Sequence, residues 1–483
     1  MLENKALLTD LYQFTMAQAY WQTGKSVDFG CFYLHFRDNP FKGGYTITCG
    51  MAQVAEMVAN YSFTEEDIDY LVSLPAADGT PLFDPVFLGT LKDMRLSVDI
   101  DAVKEGTIVF PYEPLVRVSG PIIQCQMIET ALLNAVNFES LVATKAARVC
   151  EVAKGPVAEF GLRRAQGPMG GNLASRAAIV GGCESTSNTM AGKLFGLPVS
   201  GTHAHSWVMA HDSELEAFRA YAEVMPHNCV LLVDTYDVLD GVRNAITVAQ
   251  EMETRGQRLS GIRIDSGDLA WLSIQSRELL DEAGMDYVKI IASNDLDEYT
   301  IQSLHDQGAR IDAWGVGTRL ATAFDQPALG GVYKLCATRE PGKDWIPSLK
   351  VSEQSKKSTL PGILEVRRYY DNDGIMVGDM VFDRELPPVD DLIIDPLDDM
   401  RQKNLYGYRH QELLEPLARE GKVVLEITAT SALEARERTQ KNLEQLHPSN
   451  RRFLNPHSYP VGLETQLLRQ RDDLIKSIRK IDV

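Results

Sequence analysis

Four apolar runs, at residues 229–233, 261–264, 287–292 and 311–314, constrain the fold of this chain more than any other feature. They recur roughly every 25 to 32 residues, and each closes on polar or glycine residues. The first ends in Asp234-Thr235-Tyr236-Asp237 and precedes helix-patterned residues 239–254. The second ends in Asp265-Ser266-Gly267-Asp268 before a helix at 269–283, and the third in Ser293-Asn294-Asp295 before a helix at 298–307. The fourth ends in Gly315-Val316-Gly317-Thr318. An apolar strand alternating with a helix is the unit of a parallel sheet, because parallel strands need a long crossover. The run predicts β/α units of a parallel barrel, with functional groups at the C-terminal strand ends.

The flanks read differently. Residues 7–21 carry apolar side chains at helical spacing, with Thr9 or Asp10 as N-cap. Residues 28–35 alternate as a strand and run into the turn Arg37-Asp38-Asn39-Pro40. Helices are expected at 52–58 and 65–74, short strands at 96–98, 107–110 and 115–118, and helices at 122–137 and 139–154. Beyond Lys334, residues 339–361 are rich in Lys, Ser, Gly and Pro and read as a mobile basic loop. Strand character returns at 364–370 and 375–381, expected to rejoin the N-terminal layer, and 431–445 and 463–481 read as charged amphipathic helices.

With 483 residues the chain exceeds one ordinary core, so two domains, or a barrel with a substantial accessory domain, are expected. The net charge of −19 argues against unspecific attachment to nucleic acid or to an anionic membrane. An anionic substrate then needs a local cluster of arginine and lysine. Seven cysteines without a C-x-x-C pair give neither a disulfide framework nor a zinc ribbon, which favours a reducing compartment. The N-terminal residues lack a signal-peptide pattern, and no apolar run is long enough to span a bilayer, so a cytoplasmic location is expected.

Chemistry-bearing side chains crowd into residues 159–211. This stretch supplies Arg163 and Arg164, the small polar run Ser185-Thr186-Ser187-Asn188, and an imidazole pair at His203 and His205. Arginine forks bind phosphate or carboxylate, and a histidine can accept a phosphoryl group. Arg263 and Asp265 are two apart and so share one face of a strand. One of Asp265 and Asp268 could simply cap the following helix. The Gly315-Val316-Gly317-Thr318 turn can offer backbone N–H groups and a hydroxyl to phosphate, although a tight turn needs no ligand.

The chain resembles the nicotinate phosphoribosyltransferase family. The residues that carry the resemblance are Leu8-Thr9-Asp10-Leu11-Tyr12-Gln13, Phe160-Gly161-Leu162-Arg163-Arg164-Ala165-Gln166-Gly167, Ser185-Thr186-Ser187-Asn188 and Gly201-Thr202-His203-Ala204-His205-Ser206. They continue at Ile264-Asp265-Ser266-Gly267-Asp268-Leu269, Gly315-Val316-Gly317-Thr318 and Gly330-Gly331-Val332-Tyr333-Lys334-Leu335. The last third of the chain matches less distinctively.

The resemblance implies an α/β fold: an irregular β/α barrel at residues 139–345, with an accessory α/β domain built from residues 1–138 and 346–483. It implies ATP-coupled transfer from phosphoribosyl pyrophosphate to nicotinate, giving nicotinate mononucleotide and pyrophosphate in NAD biosynthesis. His205 would be the phosphohistidine, with Asp265 and Arg163 also catalytic. Tyr12, Phe160, Arg163, Asn188 and Arg263 would bind nicotinate, the two aromatic rings stacking on opposite faces of the pyridine. Arg37, Arg163, Arg263, Asp265, Ser293, Asn294, Gly315, Gly317 and Thr318 would bind phosphoribosyl pyrophosphate, with Mg²⁺ held through its pyrophosphate. Relatives that act on nicotinamide carry an aspartate near Asn188, or at Ser187 if the match shifts by one. A homodimer with shared sites is implied, Tyr12 and Arg37 reaching into the neighbouring barrel.

Two other readings compete. His203 and His205, with His227 and Asp265, could form the metal site of a barrel hydrolase. A catalytically inactive nucleotide-binding scaffold is the second, set against the presence of Arg163, His205, Arg263 and Asp265.

Overall fold

The computed structural model describes residues 6–353, 359–424 and 431–480. It divides into two compact units, one made of Met1–Leu141 and Ala328–Val483 and the other of Val142–Pro327. The second boundary falls before the strand Val332–Arg339, nearer the N-terminus than the expected 345/346.

The Val142–Pro327 unit is built on six parallel strands in the order Ser185–Thr186, Val157–Glu159, Ala313–Val316, Lys289–Asn294, Gly261–Ile264 and Val230–Leu232. Their apolar residues are buried, as expected of parallel strands covered on both faces. The sequence pattern anticipates the four later strands, but the last two run further than expected, so Ser293, Asn294, Gly315 and Val316 belong to strands rather than to the turns after them.

Three of the helices that follow these strands begin alike. Asp237, Asp268 and Asp297 occupy the N-caps of Val238–Thr254, Leu269–Glu282 and Glu298–Asp306, and each carboxylate accepts a backbone N–H three residues on. Among the described residues no backbone ladder joins the edge strands Ser185–Thr186 and Val230–Leu232. Residues 198–203 span that gap: Thr186 bridges to Val199 in parallel, and Nε2 of His203 accepts the Leu232 N–H at 3.1 Å.

The other unit holds two larger sheets. One is antiparallel, in the order Ile346–Pro347, Val332–Arg339, Phe29–His35, Val116–Pro121, Asp99–Val103, Leu414–Arg419 and Lys422–Val423. The expected strand at 96–98 is therefore displaced to Asp99–Val103. Leu364–Tyr370 and Met376–Asp383 do not extend this sheet. They pair with each other in a second sheet that also contains Val461–Leu463, Leu392–Asp395, Asp398–Asn404 and Arg409–Glu412.

A buried arginine links the two sheets: Arg117 donates to Asp101 at 2.8 Å and to the Leu364 carbonyl at 2.6 Å. Arg368, also buried, pairs with Asp379 at 2.6 Å and donates to the Ile108 carbonyl at 2.7 Å. Each guanidinium is offset by a carboxylate and a carbonyl, which is what makes its burial tolerable.

Three local expectations change. The helices at 122–137 and 139–154 prove to be Ile122–Met127 and Glu129–Ala153, since no Gly or Pro near residue 138 stops the second. The 339–361 segment begins as the end of Val332–Arg339 and turns back through Ile346–Pro347, while residues 354–358 lie outside the described residues. The final helix is Thr465–Arg479, its first turn capped by Glu464.

Candidate active site

Chain direction brings the ends of the parallel strands together, and there the charged residues gather. Arg263 and Asp265 leave the Gly261–Ile264 strand on the same side, as alternation requires. Asp268 is spent on its cap, accepting the Trp271 N–H at 3.1 Å, which leaves Asp265 for the site. Oδ1 of Asp265 accepts the Ser293 hydroxyl from the neighbouring strand. Arg263 donates to the Thr202 hydroxyl, and its Nε is buried with no hydrogen-bond partner among the described residues. Burial holds the Arg263 guanidinium below its ordinary pKa; Asp265 and Asp234 oppose that shift and Arg163 adds to it.

His205 opens the short helix His205–Met209. Its Nδ1 lies 3.2 Å from the Thr235 hydroxyl, and its Nε2 lies 3.9 Å from both Asp234 Oδ1 and Asp265 Oδ2. The imidazole is partly exposed, so a ligand can reach Nε2.

Asp234 is the residue that sequence reasoning missed. Its side chain is fully buried, and Oδ2 accepts the Asp265 N–H at 2.9 Å and the Ser266 hydroxyl at 2.6 Å. Oδ1 is buried, has no hydrogen-bond partner among the described residues, and faces His205. The signal was available: residues 231–234, Leu-Leu-Val-Asp, and 262–265, Ile-Arg-Ile-Asp, both end an apolar strand on aspartate.

His203 has another task. Its Nε2 is occupied by the Leu232 N–H, so the ring proton sits on Nδ1, 3.3 Å from the Ala204 carbonyl. The ring stands edge-on to Tyr221 at 4.8 Å, and burial pushes its pKa below the usual value. A ring whose lone pair is already used neither ligates a metal nor attacks phosphorus. His227 is exposed and precedes the Val230–Leu232 strand, at the end opposite Asp234. The metal set of a barrel hydrolase is therefore not assembled.

The ring-binding candidates divide. Phe160 packs against Gly315, where an added Cβ would come within 2.6 Å of two ring carbons, so Gly315 is required by this packing as well as by any phosphate. Arg163 and Arg164 are exposed on a 3₁₀ turn, Leu162–Arg164.

Asn188 is fully buried and committed. Its Oδ1 caps the helix Thr189–Phe195 by accepting from Met190 and Ala191, and its amide donates to Ser175 and Asn172. Thr186, two residues earlier, points to the same side, towards Glu159. Alternation therefore turns Ser185 and Ser187 to the other face, and of the two candidate positions Ser187 is the one not locked in this network.

Asn294 holds φ 133, a conformation that a non-glycine residue adopts only under constraint, immediately after Ser293. Gly317 forms the N-cap of Thr318–Ala321, and a Cβ there would stand 3.2 Å from the Phe160 carbonyl.

Tyr12 and Arg37 belong to the other unit. Tyr12 is 48% exposed on the helix Leu11–Gln22; burial of the rest of the ring and nearby Glu129 raise its phenol pKa. Arg37 has a buried Nε with no hydrogen-bond partner among the described residues. It stands near His35, whose pKa is pushed down to about 3 by burial, with Arg37 and Lys334 adding to the effect. A cleft of about 1040 Å³ in the same unit is lined by Lys104, Arg409, Glu434 and Arg438; it contains none of these residues.

Parallel strand ends bearing an imidazole, two carboxylates, a hydroxyl and a buried guanidinium define the class: an α/β enzyme with a site for an anionic substrate. The chain belongs to the nicotinate phosphoribosyltransferase family. Sequence models of that family match residues 7–137 as its N-terminal domain, 156–358 as the family proper and 365–471 as its C-terminal domain. A nicotinate phosphoribosyltransferase of Bacillus subtilis strain 168 is 42% identical over 95% of this chain and 93% of its own length. A human one is 33% identical over 96% and 95%. The crystal structure of human nicotinic acid phosphoribosyltransferase superposes with a TM-score of 0.83 at 31% identity, covering 96% of this chain and 99% of that one.

Proposed function

We propose that this chain joins nicotinate to the phosphoribosyl group of phosphoribosyl pyrophosphate, forming nicotinate mononucleotide and pyrophosphate for NAD salvage, with ATP hydrolysis coupled to the transfer. The observation that carries the reading is the cluster of His205, Asp234, Arg263, Asp265 and Ser293 at adjacent strand ends, in a chain of this family. On this reading the six parallel strands are the wall of an irregular β/α barrel, closed at the His203 gap by side chain rather than by ladder.

The pyridine nitrogen carries its lone pair near neutral pH. It attacks C1 of the ribose, the C1–O bond breaks, and the electron pair leaves with pyrophosphate. Little proton transfer is required, so catalysis consists of alignment and charge stabilisation. Phe160 supports one face of the ring, Arg263 and Arg163 meet the carboxylate or the departing pyrophosphate, and Asp265 takes the ribose hydroxyls. Ser293, Asn294 and the Gly315-Val316-Gly317-Thr318 turn receive phosphate. Asp265 Oδ2 and Asp234 Oδ1 are hard oxygen donors that suit Mg²⁺ and would face it, the ion offsetting phosphate charge.

His205 is the phosphoryl acceptor. With the Nδ1 proton given to Thr235, Nε2 holds the lone pair that attacks the γ-phosphorus of ATP, and ADP leaves with the electrons of the broken bond. The phosphorylated form adds nearly two negative charges to the site, and its hydrolysis draws the reversible transfer towards product. The active unit is a cytoplasmic homodimer in which Tyr12 and Arg37 serve the neighbour's site, a reading that rests on the family resemblance.

Turnover of ring-labelled nicotinate tests the reaction, and labelling from γ-labelled ATP tests the acceptor. The wild type should form nicotinate mononucleotide and an acid-labile phosphoenzyme. His205→Ala should keep slow transfer and lose the label; a labelled His205→Ala protein would refute the assignment.

A further inference from the structure

We propose that Glu159 is a positioning residue for the nicotinate pocket, joining its aromatic wall to its hydroxyl wall through one buried carboxylate. This rests on the functional reading above and adds a residue to which the strand-end chemistry assigned no part. Glu159 ends the Val157–Glu159 strand and is fully buried. Among the described residues it forms no ion pair, yet every polar contact it makes comes from a donor. Oε1 accepts the Gly161 N–H, while Oε2 accepts the Ser175 hydroxyl at 2.8 Å and the Thr186 hydroxyl at 2.6 Å.

A buried carboxylate without a cation is tolerated only when such bonds replace its hydration. What the bonds connect gives the carboxylate its purpose. Gly161 opens the turn that carries Arg163 and directly follows Phe160, and a Cβ on it would lie 2.9 Å from Glu159 Oε1. Thr186 precedes Ser187, whose N–H donates to the Glu159 carbonyl at 2.9 Å.

The network closes on itself. The Asn188 N–H donates to the Thr186 hydroxyl at 3.0 Å, and the Asn188 amide donates to the Ser175 hydroxyl at 3.1 Å. Both hydroxyls thus already accept a bond; the Thr186 proton goes to Glu159, and the Ser175 proton is shared between Glu159 at 2.8 Å and the Gly171 carbonyl at 2.9 Å. An amide at position 159 accepts fewer of them, so the Phe160-Arg163 turn and the Ser187 segment lose their common anchor. The strand ends that hold Asp265 and Ser293 make no hydrogen bond to Glu159, so their share of phosphoribosyl pyrophosphate binding is kept, and the loss falls chiefly on nicotinate.

Steady-state kinetics on the full chain test this. Glu159→Gln should raise the KM for nicotinate on the order of tenfold or more, while the KM for phosphoribosyl pyrophosphate moves by less than about twofold. A purely structural role would lower the thermal midpoint and leave the nicotinate KM of the folded protein unchanged. That result, or a parallel rise in both constants, overturns the proposal. If Glu159→Gln does not fold, Thr186→Val removes one donor and Thr186→Ser retains it. The nicotinate KM should rise in the valine variant and recover in the serine variant, and equal values in the two overturn the proposal. A wild type that makes no nicotinate mononucleotide overturns the functional reading itself, together with this inference.

Discussion

Replacing His203 with alanine isolates a structural histidine from a chemical one two residues away. The imidazole accepts the buried Leu232 N–H at 3.1 Å and stands edge-on to Tyr221 at 4.8 Å. Leaving a buried N–H without an acceptor costs about 1–3 kcal/mol. Losing the ring contact adds about 0.5–1.5 kcal/mol. His203→Ala should therefore destabilise the Val142–Pro327 unit by about 1.5–4.5 kcal/mol, and His203→Gln, whose amide oxygen can accept, by less. Urea unfolding followed by circular dichroism measures the total, and hydrogen exchange at the Leu232 amide reads the bond itself, each 1.4 kcal/mol being about tenfold in exchange. The folded variant should still form phosphoenzyme at His205. A loss of stability under about 0.5 kcal/mol with Leu232 exchange unchanged would refute the bridging role.

Other outcomes follow from the same geometry. Because burial depresses the folded pKa of His203, its neutral form favours the native state: that stability is complete above about pH 6.5 and is lost as pH falls towards the folded value, so the acid decline in midpoint should be shallower in His203→Gln. Ser187→Asp should weaken nicotinate use through charge repulsion while folding normally. Asn188→Asp should instead lower the thermal midpoint, because it buries a charge in place of the amide that donates to Ser175. Asp268→Ala should cost about 1 kcal/mol of stability as a lost cap with kcat/KM nearly unchanged, whereas Asp265→Asn should lower kcat/KM with little change in unfolding.

Much of this was legible because parallel β/α units announce themselves. Apolar runs ending in Asp234, Asp265, Ser293 and Gly315 fix both the strands and the end at which chemistry gathers. The helix Gly167–Gly181 escaped because glycine and other small residues obscure helical periodicity; they are there for close packing, since a Cβ on Gly181 would meet the Ala143 carbonyl at 2.2 Å. The family resemblance placed Asn188 at the nicotinate, and its side chain also caps a helix whose start is apparent only in three dimensions. Glu159 was hidden because a buried carboxylate has no sequence signature distinct from a surface one, whereas Asp234 could have been found from its place at the end of an apolar strand, like that of Asp265. The second sheet of the terminal unit depends on pairings between strands far apart in sequence, such as Met376–Asp383 with Val461–Leu463, which strand periodicity does not specify.

Comparison of nicotinate with nicotinamide as acceptors, at saturating phosphoribosyl pyrophosphate and with ATP, tests the central claim most directly. A carboxylate facing Arg263 or Arg163 gains a charge-assisted pair worth about 1.5–3 kcal/mol that the amide lacks. The account predicts that kcat/KM favours the acid by roughly ten- to a hundredfold. Equal values for the two, or a preference for the amide, would contradict it.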